Sequence, residues 1–225
     1  MSHPTINSIN SDLAYANYWK RKELLKNPPQ FPTKHWWADS SFSEIEQVVF
    51  DQVKNKSTIL DVGAGDLQVK RKFYQNGFQG TYNTQDIGQE FTYTYSSLEE
   101  IDQRYEAVLC LDTLEHLELR PGLALLQKLI ERVEPGGTLV IQTPNARCVS
   151  NPLGWDMTHL HCYNIHDLWA YLTALGLEVQ GYRVIFGNPK KNLIERCSWF
   201  ISRLIVTRCL GLDYAANIVL IAQKP

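Results

Sequence analysis

Residues 58–66 read Thr58-Ile-Leu-Asp61-Val-Gly63-Ala64-Gly65-Asp66. A short apolar run ends on two glycines, and a helix-forming stretch follows. The spacing predicts a strand over 58–62, a tight turn, and a helix over about 66–76 closed by Asn76-Gly77. Glycines at the carboxyl end of a strand let the backbone approach a ligand closely. The helix start that follows favours negative groups. A carboxylate stands on either side: Asp61 two residues before the first glycine, and Asp86 at the end of the next expected strand.

Working outward, strands and helices alternate. A weak strand is expected over 80–86, and the alternating Phe91-Thr-Tyr-Thr-Tyr95 reads as another. Glu106–Asp112 has the near-continuous apolar block of a strand buried on both faces. Pro121 opens a helix carrying Leu125, Leu126, Leu129, Ile130 and Val133 at helical spacing. Pro135-Gly136-Gly137 turns into a strand at 138–142. Asn164 caps a helix running to about 175, with a strand following near 177–186. A helix over about 192–210 and a strand over 217–222 complete the chain. Such alternation predicts a doubly wound α/β sheet with ligands at the carboxyl ends of its strands.

Residues 1–57 differ. They hold Tyr15, Tyr18, Trp19, Trp36 and Trp37 between Pro28, Pro29 and Pro32, with no long strand. Short helices are expected around 10–26 and 41–54, the second capped by Ser43 with Glu46 three residues on. The chain is therefore divided into a helical, aromatic segment (1–57) and an α/β domain (58–225). The aromatic segment reads either as a substrate lid or as a staple onto the core. Asn27-Pro-Pro-Gln30-Phe31 lacks a preceding apolar strand and reads as a proline-rich turn.

Composition excludes several classes. The 225 residues are 44% hydrophobic and 20% charged, with 22 basic and 24 acidic side chains, which is globular composition without the basic excess of a nucleic-acid binder. No nucleic-acid partner is expected. The five cysteines form no Cys-x-x-Cys pair, which fits buried free thiols in a reducing compartment. No apolar run approaches the ~20 residues of a membrane span, and the N-terminus lacks the pattern of a signal peptide, so a cytoplasmic protein is expected. The 190–210 stretch, with Lys190, Lys191, Arg196, Arg203 and Arg208, reads as a helix packed on the sheet or, alternatively, as a membrane-surface contact.

A nicotinamide fingerprint requires a third glycine where this chain has Gln68. Instead, four motifs agree with a different family: Leu60-Asp-Val-Gly-Ala-Gly65; Asp86; Leu111-Asp-Thr-Leu-Glu-His-Leu117; and Pro135-Gly-Gly-Thr-Leu-Val-Ile-Gln-Thr-Pro-Asn145. With Asp156-Met-Thr-His-Leu-His161 and Leu175-Gly176-Leu177, residues 55–225 resemble the class I S-adenosylmethionine-dependent methyltransferases, in the small-molecule group carrying a Leu-Glu-His motif. One departure is Leu67, where many members have another glycine. The resemblance implies a Rossmann-like, mostly parallel seven-stranded sheet with helices on both faces. It also implies S-adenosyl-L-methionine as cofactor, with S-adenosyl-L-homocysteine as product. By that resemblance Gly63, Ala64 and Gly65 line the cofactor's methionine and adenosine backbone, and Asp61 orients the methionine amine. Asp86, with Ile87 beside it, holds the ribose. Leu98 or Glu99 lies near adenine, and Leu111, Asp112 and Thr113 border the cofactor.

Methyl transfer needs an acceptor aligned with the S–CH3 bond and, for a hydroxyl, a base. His116, His159 and His161 are the candidate catalytic residues, since imidazole titrates near neutrality. A metal set of Asp156, His159, His161 and Cys162 does not follow a standard zinc spacing, and no metal is expected. The expected activity is methylation of a small-molecule acceptor, as a hydroxyl of a polar metabolite or saccharide. The alternatives are a quinone or lipid-like acceptor at a membrane surface, and a non-catalytic S-adenosylmethionine-binding protein.

Overall fold

The computed structural model describes residues 13–36, 41–187, 204, 205, 207 and 209–225. Their strands are β1 (Thr33–Trp36), β2 (Thr58–Val62), β3 (Thr81–Gln85), β4 (Tyr105–Leu111), β5 (Val133–Pro144), β6 (Glu178–Phe186) and β7 (Asn217–Gln223). The helices are α1 (Tyr18–Leu24), α2 (Glu44–Val53), α3 (Gln68–Gln75), α4 (Leu119–Arg132) and α5 (Ile165–Ala174). The strands form one sheet in the order β1-β6-β7-β5-β4-β2-β3. Strand β7 runs antiparallel to both β5 and β6, and the other pairs are parallel.

Side-chain alternation along the central strands serves both faces. Val108 and Cys110 of β4, Leu139 and Ile141 of β5, and Ile218 and Leu220 of β7 join one apolar cluster, which α4 and α5 cover with Leu126, Leu129, Leu168 and Leu172. The intervening Ala107, Leu109, Val140, Val219 and Ile221 join the other cluster, under Ile45, Val49, Phe50 and Val53 of α2 and Phe73 of α3. This two-sided burial is why the strands read as unbroken apolar runs.

The seven strands are not the seven that local patterning picks out. Residues 91–95 form no strand. They make an isolated bridge, Gln85 to Tyr95, and Thr84 and Thr94 exchange backbone-to-hydroxyl bonds of 3.1 and 3.2 Å. Hydroxyls stand in for ladder partners, and exposed Phe91 packs against no cluster. The added strand is β1, too short and too polar to show a period. It pairs with Arg183–Phe186, and Phe31 just before it packs on Gly181, where a β-carbon would stand 2.5 Å from the ring. Helix α4 begins two residues before Pro121, because proline is tolerated in a first turn that has free N–H groups. Strand β5 begins at Val133 and runs through Pro135-Gly136-Gly137, where its pairing with β4 is irregular. Most of the helix expected over 192–210, with its three arginines and the two lysines that precede it, falls outside the described residues. Among the described residues no helix is long and apolar enough to cross a membrane. Cys110 and Cys148 are buried free thiols, whereas Cys162 is half-buried and Cys209 exposed.

Two local devices fix the site's framework. Ser43 and Glu46 form a reciprocal cap at α2, and the same Glu46 receives Lys72 of α3 at 2.7 Å, so two helices share one carboxylate. Gly63 has φ +74°, and a β-carbon there would lie 2.0 Å from Thr113 Oγ1. Ser43→Ala is expected to lower unfolding stability by about 1 kcal/mol, read from urea denaturation with an unchanged slope. Gly63→Ala adds left-handed strain and overpacking, on the order of 3 kcal/mol together. Thr113→Ala in the same chain is expected to restore the steric part.

Candidate active site

The chain grows outward from β2 in two directions, through β3 on one side and β4 on the other. The strand ends diverge there, opening the crevice in which α/β sheets take ligands. The turn after β2 is held from below, since Gly63 and Ala64 both donate to the Gln85 carbonyl, at 2.8 and 3.1 Å. Asp86 is clamped by backbone amides, Gly65 N–H to Oδ2 at 2.9 Å and Gly88 N–H to Oδ1 at 2.8 Å. Leu67, at the position of the missing third turn glycine, has φ +61°. The chain keeps the left-handed turn and bears the strain that glycine would avoid.

Two cavities meet at this turn, both lined by Gly63, Gly65 and Asp112. One, of about 750 Å³, is lined by Asp86, Ile87, Leu98, Glu99, Thr113 and His116. The other, of about 450 Å³, is lined by Asp61, Ala64, Leu111, Lys72 and the aromatic rings of Trp36 and Phe186. The candidate cofactor residues are thus distributed over two adjoining cavities. Ile87 is 88% exposed at the rim.

Buried carboxyl groups stand at and near the junction. Asp61 is 2% exposed and accepts from Tyr82 O–H at 2.8 Å. Burial raises its pKa to about 7, against the opposing hydrogen bond from Tyr82. Asp112, with φ +50°, accepts from Gln142 Nε2 at 2.6 Å and Asn217 Nδ2 at 3.0 Å. Burial raises its pKa too. Glu115, 1% exposed, accepts from Thr143 O–H at 3.1 Å. Burial, then the neighbouring Asp112 charge, raises it to about 8. A cationic ligand relieves such a site.

The three candidate histidines separate into a pair and an outlier. His116 and His159 lie edge to face with ring centroids 5.1 Å apart. His159 Nδ1 lies 2.8 Å from the Pro152 carbonyl, so it donates. His116 Nδ1 lies 2.8 Å from Thr158 Oγ1 and 3.3 Å from the Thr158 carbonyl, and it also donates. In both neutral rings Nε2 then carries the lone pair. His161 instead lines a third cavity, of about 330 Å³, with Arg21, Cys162, Tyr163 and Tyr171. The set of Asp156, His159, His161 and Cys162 is therefore not brought together. Among the described residues the chelating cluster is Glu115, His116 and His159, with one coordinating atom of each within 4.8 Å of the others.

Gln142, Asn217 and Phe186 line the cavity of about 450 Å³ and escape the sequence reading, whereas Trp36 stands in the aromatic segment read as a lid or a staple. Gln142 and Asn217 are strand residues whose polar character had no visible partner. Trp36 and Phe186 come from β1 and β6, the far edge of the sheet, and pack at 5.2 Å. Trp155, from the loop after β5, extends this row to Phe186 at 6.1 Å. Glu115 was legible only as part of the Leu-Glu-His motif.

Comparison with known proteins bears on the family and the fold. A family model described as a methyltransferase domain matches residues 33–181. The ubiquinone biosynthesis O-methyltransferase of Rickettsia conorii is 25% identical over 174 residues, covering 64% of this chain and 60% of that relative, so less than two thirds of its length is spanned. Its Rickettsia felis counterpart is 25% identical, covering 70% of this chain and 74% of the relative. Among solved structures, a SAM-dependent methyltransferase from Archaeoglobus fulgidus shares the fold with a TM-score of 0.59 at 14% identity, covering 98% of this chain and all of that one. Magnesium protoporphyrin IX methyltransferase from Synechocystis PCC 6803, solved with bound SAM, gives 0.51 at 12% identity, covering 100% and 87%. With the family model spanning more than half its length, the chain belongs to this methyltransferase-domain family.

Proposed function

We propose that the enzyme transfers the methyl group of S-adenosylmethionine to a hydroxyl of a small acceptor bearing an aromatic or quinone-type ring. The observation that carries this reading is the paired His116 and His159, each with an Nε2 lone pair, beside a cofactor crevice and an aromatic row of Trp36, Phe186 and Trp155. The 750 Å³ cavity would take the adenosine, with Asp86 holding its ribose. Asp61 would hold the methionine ammonium, and the acceptor would enter near Asp112, which lines both cavities. The cofactor supplies the activated methyl group. The protein would align the hydroxyl oxygen with the S–CH3 bond, and the histidine pair would take the hydroxyl proton as the O–CH3 bond forms and the S–CH3 bond breaks, its electron pair leaving on sulfur as S-adenosylhomocysteine.

Ring walls favour a ring-bearing acceptor over the saccharide expected from sequence. The likeness to ubiquinone biosynthesis O-methyltransferases supports the same choice. Methyl-labelled cofactor offered with hydroxylated aromatic rings and saccharides tests it. Label is expected on a ring hydroxyl, and label confined to saccharides refutes the reading. In the double variant His116→Gln with His159→Gln, kcat is expected to fall about 100-fold with little change in cofactor affinity. His161→Ala is expected to stay near wild type, since it faces a different cavity.

Asp61 sets the pH behaviour. Its folded pKa of about 7 lies above the ordinary carboxylate value, so the folded state binds the extra proton. The cofactor-free protein therefore loses stability as pH rises from about 4 to about 7, after which this contribution is flat. Cofactor affinity runs the other way. It rises up to tenfold per pH unit below 7, because the ammonium pairs with the ionised form. Calorimetric titration between pH 5.5 and 8.5 reads this slope. Asp61→Asn is expected to flatten it, weaken binding and stabilise the cofactor-free fold at pH 8 by on the order of 2 kcal/mol.

A further inference from the structure

We propose that Glu115, His116 and His159 form a binding site for one first-row divalent transition-metal cation, such as Zn²⁺ or Co²⁺. The inference rests on the O-methyl-transfer reading for its purpose and changes one role in it. With the cation bound, both Nε2 lone pairs are ligands, and the cation, in place of the histidine base, lowers the proton affinity of the acceptor hydroxyl so that its proton leaves to solvent. The site itself stands on geometry. One coordinating atom from each residue lies within 4.8 Å of the others. Around a tetrahedral Zn²⁺ such atoms sit about 3.4 Å apart, a closure that side-chain rotation supplies.

The hydrogen bonds decide the polarity of the cluster. His159 Nδ1–H donates to the Pro152 carbonyl. Thr158 spends its hydroxyl proton on Asp156 Oδ1 at 2.6 Å, so its oxygen accepts from His116 Nδ1–H. Both imidazoles therefore offer an Nε2 lone pair, and Glu115 offers a carboxylate oxygen. A single cation satisfies the two imidazole lone pairs and the carboxylate at once. The outer partners are those that metal-bound histidines use: a backbone carbonyl for His159, and a hydroxyl backed by a carboxylate for His116. Thr143 O–H in turn orients Glu115.

Two sequence segments supply the ligands. Glu115 and His116 form the short turn after β4, and His159 sits in the loop after β5. Backbone bonds already join them, since Leu160 and His161 N–H both donate to the Glu115 carbonyl, at 2.7 and 3.1 Å. The spacing is thus built into the fold. Two imidazole nitrogens and one carboxylate oxygen suit Zn²⁺, Co²⁺ or Mn²⁺ rather than the all-oxygen preference of Mg²⁺ or Ca²⁺. Three protein ligands leave a position open, and His116 lines the cofactor cavity, so an acceptor oxygen is the natural fourth ligand.

The test uses the full chain, stripped with chelator and dialysed, then titrated with Co²⁺ by visible absorption and with Zn²⁺ by calorimetry. One equivalent is expected to bind. The absorption bands are expected to vanish and the affinity to fall at least tenfold in His116→Gln and in His159→Gln, with cofactor binding retained as the check on folding. Glu115→Gln gives an independent third loss. No saturable equivalent, or undiminished binding in both histidine variants, overturns the site. Histidine-dependent ring methylation by a chain that binds no Co²⁺ removes the cation and leaves the methyl-transfer reading standing. One Co²⁺ equivalent with no hydroxylated ring methylated supports the site and removes that reading.

Discussion

The seam between Gly63 and Thr113 is the constraint on which the site depends. Strands β2 and β4 are direct neighbours, yet the ends of their chains must part to open a crevice. They part around a glycine that has no room for a β-carbon. Because the turn backbone lies against Thr113, Gly65 reaches Asp86 from one side and Asp112 closes the junction from the other. Moving the glycine turn outward displaces both cavities together.

The second organising feature is charge held out of water. Asp61, Asp112 and Glu115 sit at the carboxyl ends of β2 and β4, all with proton affinities raised first by burial. Each is oriented by neutral donors, namely Tyr82, Gln142 with Asn217, and Thr143. Neutral donors position a carboxylate without cancelling its charge. Burial favours the protonated form of each, and a cationic ligand favours the ionised form. This couples stability to ligand binding by ordinary linkage. It also separates this centre from the Lys72–Glu46 pair nearby, where a cation is already supplied and the pair ties α2 to α3.

Much of this was legible in the chain. Strand β4 reads as buried on both faces because it is. Ser43 and Glu46 announce the start of α2, and Asn164 that of α5, since caps are local chemistry. The glycine turn, Asp86 and the Leu-Glu-His segment were visible because each lies next to the strand that places it. Failures share a cause. Phe91–Tyr95 has strand periodicity without a strand to pair with, and Thr33–Trp36 has a partner in β6 that its own residues do not advertise.

The amino-acid order by itself determined the α/β alternation, the left-handed turn and the identity of the residues around it, because these follow from short-range sterics, periodicity and capping. Only the tertiary structure decided which distant side chains share a space. It set His159 beside His116 while sending His161, two residues on, to another cavity. It drew Trp36, Trp155 and Phe186 into one row from three separate segments. The physical reason is that loop direction after β5 is set by long-range bonds, Leu160 and His161 N–H to the Glu115 carbonyl, and no local pattern of residues encodes a partner more than 40 positions away.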